Sequence, residues 1–441
     1  MNYKMMGRFI AQILSLEGIF MLPALTISVH LGEHPAIRGF AATIVILLAI
    51  SAALRMLFEI VSGFTTTGAS ILPAVENLSK GILYWRSFSH WVGGMGVLVF
   101  LLAIVPSGER GKGFTMHLLR AESPGPSVGK LVPRMRKTAA ILYILYIILT
   151  VANILFLLLG GMPAFEAVCN AFGTAGTGGF GVRNDSFASY SPYLQNVTTV
   201  FMFLFGVNFS CYYLLLIGQV RSVLKDEELR AYFGIAFVSI ALIAWNIRSL
   251  YGTLGETLRH AAFQVSSIMT TSGFATTDFD LWPSFSKTIL LVLMVIGASA
   301  GSTGGGIKVA RVLLLFKSLR RSFLQMLHPN RVQLVRNNGQ VVDEKVMEST
   351  NAYLIAYVFI LFLSFLVLSL DGFSTGTNFS AVLCCFNNIG PGLEAVGPTC
   401  NFSGFSVLSK LVLITDMLLG RLEIFPILCL LSRHTWRRQV K

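Results

Sequence analysis

A chain of 441 residues that is 54% hydrophobic and only 12% charged cannot fold as an ordinary soluble protein. Its mean hydropathy of +0.70 reads as a polytopic membrane protein. The net charge of +13 by itself would suit a nucleic-acid partner, but the cations are not on one patch: they crowd into Arg110 to Lys137, Arg221 to Arg230, Arg311 to Lys345 and Arg433 to Lys441. Those are loops that the positive-inside rule assigns to the cytoplasm.

In chain order, two apolar runs come first, about Phe9 to Val29 and about Phe40 to Leu54. No convincing small-residue cleavage site follows the first, so it reads as a retained helix rather than a signal peptide. The second passes through Arg55-Met56-Leu57 into a short apolar segment that ends in a polar turn, Thr65-Thr66-Thr67-Gly68. Trp91 to Val105 then leads into the basic loop from Arg110, which puts that turn on the outside. An outside turn needs an odd number of crossings from a cytoplasmic N-terminus, whereas two runs precede it. Three readings stay open: an N-terminus outside, a run that does not cross, or an incomplete first repeat.

The rest of the chain is more regular. A span of Ala139 to Leu159, a short segment opened by Pro163-Ala164-Phe165-Glu166, a turn near Gly178 and a returning span of about Val197 to Ile217 form a second unit. Pro163 suits a first helical turn, where its missing N–H is not needed. The third unit has Ala231 to Trp245, about Leu258 to Met269, a turn at Gly273 and a return from about Lys287. That return meets Gly297 to Gly306, where glycine costs about 1 kcal/mol per residue of helix stability relative to alanine, so the helix should unwind. The fourth has Ala352 to Leu370, about Asn378 to Phe386, a turn at Gly390 and a span of Leu408 to Leu430 carrying Asp416, Arg421 and Glu423. The divisions are 1–54, 55–137, 138–229, 230–346 and 347–441.

The units are copies of one another. Counting back from Gly68 and from Gly273, both have Thr at minus two and minus three, Ser at minus six and Phe at minus ten. The turn glycines Gly68, Gly178, Gly273 and Gly390 are spaced by 110, 95 and 117 residues, a fourfold internal repeat. Each segment before a turn is too short to cross a bilayer but long enough for a re-entrant helix. Polar backbone at membrane depth is tolerable only where it lines a water-filled path or is buried in protein. Four such turns about one axis would make a ring of carbonyl oxygens, the device that replaces the hydration shell of a potassium ion.

At this point the residues resemble a known family. Ser62-Gly63-Phe64-Thr65-Thr66-Thr67-Gly68-Ala69, Asn387-Asn388-Ile389-Gly390-Pro391-Gly392 and Gly301-Ser302-Thr303-Gly304-Gly305-Gly306 are similar to the Trk/Ktr/HKT superfamily of potassium-uptake membrane subunits, its TrkH branch most of all. The resemblance implies an all-α membrane protein with four helix–pore-loop–helix repeats around a central pore, the first shortened here. It implies a filter built from the carbonyls of Thr66, Thr67, Gly68, Thr177, Gly178, Ser272, Gly273, Asn388 and Ile389, with Gly68, Gly178, Gly273 and Gly390 as its ring. Glycine at all four positions implies preference for potassium over sodium. Gly301, Ser302, Thr303, Gly304, Gly305 and Gly306 would form a gating loop, with Lys308 and Arg421 facing the same vestibule. Also implied are the bacterial inner membrane, a homodimer and a cytosolic nucleotide-binding regulatory subunit of the TrkA/KtrA type.

Several residues admit plainer readings. Gly301 to Lys308 is not a phosphate loop, because Ile307 separates Gly306 from Lys308. Arg421 could be a structural ion pair with Glu423 or Asp416. Glu59 and Glu166 read as anchors for backbone donors, and Trp85, Trp91, Trp245 and Trp282 as an interfacial belt. Cys169, Cys211, Cys384, Cys385, Cys400 and Cys429 read as small core hydrophobes. No catalytic constellation or covalent cofactor is expected; potassium would be the cargo. The rival functions are a secondary transporter of another solute, whose repeats would be paired and inverted, and a degenerate, non-conducting subunit.

Overall fold

The computed structural model describes residues 54–95, 135–328, 330 and 333–431. Both N-terminal runs, most of the Arg110 to Lys137 loop and the tail from Arg433 lie outside the described residues. So do the parity of the first crossings and the completeness of the first repeat.

The described chain is all-α apart from a two-residue hairpin, β1 (Arg336–Asn337) with β2 (Gln340–Val341). Its helices are α1 (Leu54–Phe64), α2 (Lys80–Gly94), α3 (Met135–Leu159), α4 (Ala164–Gly176), α5 (Pro192–Phe205), α6 (Phe209–Leu216), α7 (Val220–Lys225) and α8 (Glu227–Ile247). There follow α9 (Leu254–Met269), α10 (Ser284–Ile296), α11 (Val309–Leu327), α12 (Glu344–Leu368), α13 (Thr375–Phe386), α14 (Val407–Leu422) and α15 (Ile424–Leu431).

Two kinds of helix serve two environments. Among the described residues, Ala140–Leu159, Glu227–Leu250 and Glu344–Asp371 are long and apolar enough to cross a bilayer, yet within an apolar 18-residue stretch of each only 33%, 28% and 28% is buried in the protein. Leu155, Phe156, Phe237, Val238, Phe359 and Phe362 point outward from them, the surface that lipid wets. The short helices α1, α4, α9 and α13 have 11, 13, 16 and 12 residues, too few to span, and they form the interior instead. Every residue of α13 from Ser380 to Phe386 is buried, as is every residue of α9 from Phe263 to Met269.

Local sequence sets the starts of these helices. Ser79, Ser191, Asp226, Thr253, Ser374 and Ser406 cap α2, α5, α8, α9, α13 and α14 by accepting a free first-turn N–H. Pro163 is itself the N-cap of α4.

Two spans that read as continuous in hydropathy are broken. The return of the second repeat bends by 88° between α5 and α6, where Asn208 caps a new helix by accepting Ser210 N–H at 2.9 Å. The last span breaks at Glu423, whose φ is 65°. Pro426 lies in the turn that follows and has no N–H to give the Leu422 carbonyl. The third return is non-helical from Gly297 to Lys308 and resumes at Val309.

The side-chain expectations divide. Trp85 and Trp282 are buried inside the protein at 8% and 3% exposure, so they are packing residues rather than a lipid belt, while Trp245 is 73% exposed. Trp91 donates to Thr150 Oγ1 at 3.1 Å. Cys169, Cys211, Cys384 and Cys385 are buried, but Cys400 is exposed.

Candidate functional site

The short helices α1, α4, α9 and α13 end in one and the same way. In each, a residue with left-handed backbone follows the helix: Thr66 (φ 56°), Thr177 (53°), Thr271 (59°) and Asn388 (55°). The next N–H reaches back five residues to close the helix: Thr67 to the Ser62 carbonyl at 2.9 Å, Gly178 to Gly173 at 2.9 Å, Ser272 to Ser267 at 2.7 Å and Ile389 to Cys384 at 2.9 Å. This is the six-to-one bond of a Schellman cap. Threonine is a poor choice for positive φ, at about 1–3 kcal/mol per site, and such strain collects where function requires a particular backbone shape.

One residue further along, each turn has a glycine at positive φ: Gly68 (76°), Gly179 (78°), Gly273 (72°) and Gly390 (97°). These glycines interlock in a closed cycle. A Cβ on Gly68 would collide with the Gly178 carbonyl oxygen, one on Gly179 with that of Ser272, and one on Gly273 with that of Ile389. A Cβ on Gly390 would lie 2.7 Å from the Thr67 carbonyl oxygen, which returns the cycle to its start. Each repeat therefore brings its glycine against the carbonyl of the next. A side chain at any of these positions would push the next repeat's oxygen.

The register corrects the sequence reading at one repeat. Gly178 stands level with Thr67, Ser272 and Ile389, and the glycine level with Gly68, Gly273 and Gly390 is Gly179. Thr271 likewise belongs with Thr66, Thr177 and Asn388. Both were missed, although Gly179-Phe180 and Gly273-Phe274 form a pair that the sequence displays.

Hydroxyl groups stiffen the turns. Thr65 Oγ1 donates to the Val61 carbonyl at 2.6 Å and lies 2.8 Å from Thr67 Oγ1. Thr270 Oγ1 repeats this with the Ser266 carbonyl at 2.6 Å and Ser272 Oγ at 2.8 Å. Asn388 Nδ2 ties the fourth repeat to the first and to the last long helix, donating to Thr67 Oγ1 and to the Met417 carbonyl, each at 2.9 Å. Glu59 anchors the chain after the first turn, accepting Ile71 N–H and Ser70 Oγ–H at 2.7 Å. Glu166 instead accepts side-chain donors, Tyr190 at 2.6 Å and Arg183 at 3.0 Å.

The non-helical strip Gly297 to Lys308 is stitched beneath these turns. Gly305 N–H donates to Thr271 Oγ1 at 2.6 Å, and a Cβ on Gly304 would lie 2.8 Å from the Thr270 carbonyl oxygen. The bend between α5 and α6 holds its other edge: Ser299 N–H donates to the Gly206 carbonyl, Phe209 N–H to the Gly301 carbonyl, both at 3.1 Å, and Thr303 Oγ1 to the Phe205 carbonyl at 3.2 Å. Glu228, at the start of α8, accepts Ala300 N–H at 2.6 Å, a contact between residues 72 apart that no motif announces. Lys308 is buried and donates Nζ–H to the Gly304 carbonyl.

Arg421 reaches this strip from α14. Its guanidinium donates to the Thr303 carbonyl at 2.8 Å, to the Gly94 carbonyl at 2.7 Å and to the Gly93 carbonyl. An arginine in a membrane span is costly unless it is well partnered. Here the carbonyls of two separate segments partner it. The expected carboxylates are engaged elsewhere: Glu423 with Arg311 at 2.5 Å, and Asp416 with Ser364 Oγ at 2.8 Å.

Comparison with known proteins agrees with this architecture. Residues 42–436 match the TrkH family, described as cation transport protein. The Trk system potassium uptake protein TrkH of Salmonella typhimurium is 37% identical over 386 residues, covering 86% of this chain and 79% of that protein. TrkH of Halomonas elongata is 33% identical over 411 residues, covering 91% and 84%. The crystal structure of the potassium transporter TrkH from Vibrio parahaemolyticus superposes with a TM-score of 0.84 at 28% identity, covering 99% of this chain and 100% of that one. The chain belongs to the TrkH family of cation transport proteins.

Proposed function

We propose that this protein takes up potassium across the bacterial inner membrane through a filter formed by the turns at Thr66-Thr67-Gly68, Thr177-Gly178-Gly179, Thr271-Ser272-Gly273 and Asn388-Ile389-Gly390. The observation that carries this reading is the closed cycle of glycine-to-carbonyl approaches around the four turns. Left-handed backbone at successive turn residues aims main-chain oxygens one way, and carbonyl dipoles can stand in for the water shell of a cation that must bind and still leave. The pore helices α1, α4, α9 and α13 point their C-terminal, partly negative ends at the same place, which favours a cation there over an anion.

The strip Gly301 to Gly306 serves as the gate in this reading, held shut by Arg421 on Thr303 and by Lys308 on Gly304. The Arg421 charge also repels potassium from the closed vestibule. The membrane potential alone supplies about 2.3 kcal/mol per charge for each 100 mV. A homodimer, and regulation by a cytosolic nucleotide-binding subunit of the TrkA type docking on the basic loops, complete the proposal. Both rest on the family to which the chain belongs. The test is growth of a potassium-uptake-deficient bacterial strain producing this chain at limiting potassium. Rescue is expected; no rescue with the protein present in the membrane would overturn the reading.

A further inference from the structure

The filter turns are not equivalent in what stands behind them. In the first and third repeats, paired hydroxyls do so, Thr65 with Thr67 and Thr270 with Ser272, each pair 2.8 Å apart. The second repeat has glycine at both matching positions, Gly176 and Gly178, and so no side chain of its own there. His90, on α2, occupies the space. A Cβ on Gly178 would collide with the His90 imidazole, and a Cβ on Gly176 with the His90 backbone carbonyl.

The imidazole is fixed on its other sides. His90 is fully buried, and its Nδ1 lies 2.8 Å from the Gly63 carbonyl in α1. A carbonyl oxygen only accepts, so Nδ1 carries the proton. That oxygen also receives Thr66 N–H at 3.1 Å, which links His90 to the first filter turn. The ring packs 4.2 Å from Phe180, the residue after Gly179, and the Arg86 guanidinium covers Phe180 at 4.0 Å while pairing with Glu59 at 3.2 Å. Nε2 has no hydrogen-bond partner among the described residues. A protonated ring would be a cation held wholly away from water, so the ring is neutral and adds no positive charge beside the turns.

We infer that His90 is a positioning residue for ion discrimination: its neutral imidazole replaces the missing side chains of the second repeat and fixes the Gly178 carbonyl against Gly68. This inference rests on the filter reading above, and the experiment separates the two. Cells lacking their own potassium uptake would produce the full chain as parent, His90→Phe, His90→Ala or Gly68→Ala. The readouts are rubidium uptake, its inhibition by sodium, and the amount of protein in the membrane. Phenylalanine keeps the ring and loses the donor, so sodium should compete about threefold better; alanine loses both, and the change should be about tenfold. Maximal uptake per protein should fall less than discrimination does, which a merely structural role would not produce. Parental discrimination in His90→Phe, together with impaired discrimination in Gly68→Ala, would overturn the role of His90 and leave the filter standing, even if His90→Ala fails to accumulate. Parental discrimination in Gly68→Ala would instead remove the filter reading, and the inference with it.

Discussion

Replacing Gly68 with alanine tests the ring where it is tightest. Gly68 has a φ of 76° and a Cβ there would overlap the Gly178 carbonyl oxygen, whereas the same change at Gly390 meets the Thr67 oxygen at 2.7 Å. Positive φ costs an L-residue about 1–2 kcal/mol near the left-handed region, and the 97° of Gly390 lies further from that region than the 76° of Gly68, so backbone strain alone would not make Gly68 the more sensitive site. What differs is the displacement: a Cβ needs 3.0 Å, so the Thr67 oxygen must move by about 0.3 Å and the Gly178 oxygen considerably further. An oxygen moved that far changes the cage more for one ion than for another, and about 1.4 kcal/mol of difference is a tenfold change in preference. Gly68→Ala should therefore lower potassium-over-sodium preference by about tenfold or more, and Gly390→Ala by clearly less. The assay is uptake of rubidium against increasing sodium in a strain without other potassium uptake, normalised to protein in the membrane. Equal loss at both positions, or no loss at Gly68, would refute the argument.

Other outcomes follow from the same geometry. Arg421→Ala removes a charge-assisted bond to Thr303 worth about 1.5–3 kcal/mol, so leak without stimulation should rise by about tenfold; lower flux at normal protein levels would show that Arg421 does not hold the gate. Deleting Gly304 to Gly306 should raise flux independently of any regulatory partner, and unchanged flux would remove the strip from gating. Ser374 and Thr377 donate to Glu394 in the loop after the fourth turn and hold its carboxyl below the ordinary value of 4.5. A lowered folded-state value means the stabilisation is complete above that ordinary value and disappears as pH falls through the lower one. Glu394→Gln should accordingly lower the melting temperature at pH 7 and converge with the parent in strong acid; a gap that persists in acid would contradict the assignment.

Hydropathy and periodicity made the fold class legible. Long apolar runs became lipid-facing helices, and short ones before glycine turns became α1, α4, α9 and α13, which are most buried at their ends next to the turns. The match between the Phe58 to Gly68 and Phe263 to Gly273 stretches pairs Thr66 with Thr271 and Gly68 with Gly273, the same pairs that share positive φ. The second turn was displaced by one residue because Thr177-Gly178-Gly179 offers two glycines, and only backbone dihedrals tell which takes the place of Gly68. The bend at Gly206 to Asn208 was hidden for a different reason. Val207 and Phe209 keep the run apolar, while the break is set by Asn208 capping α6 and by the strip bonding to Gly206. The partners of Arg421 were also illegible, because main-chain carbonyls leave no trace in a sequence. His90 escaped notice because a lone histidine on an apolar helix has no partner in sequence; its meaning comes from two glycines in another repeat.

The most direct test is an anomalous-scattering crystal structure of the full chain grown in rubidium. The account predicts rubidium density on the axis enclosed by the carbonyls of Thr66 to Gly68, Thr177 to Gly179, Thr271 to Gly273 and Asn388 to Gly390, reduced when sodium replaces rubidium. Rubidium density held elsewhere in the protein, with none between those turns, would contradict it.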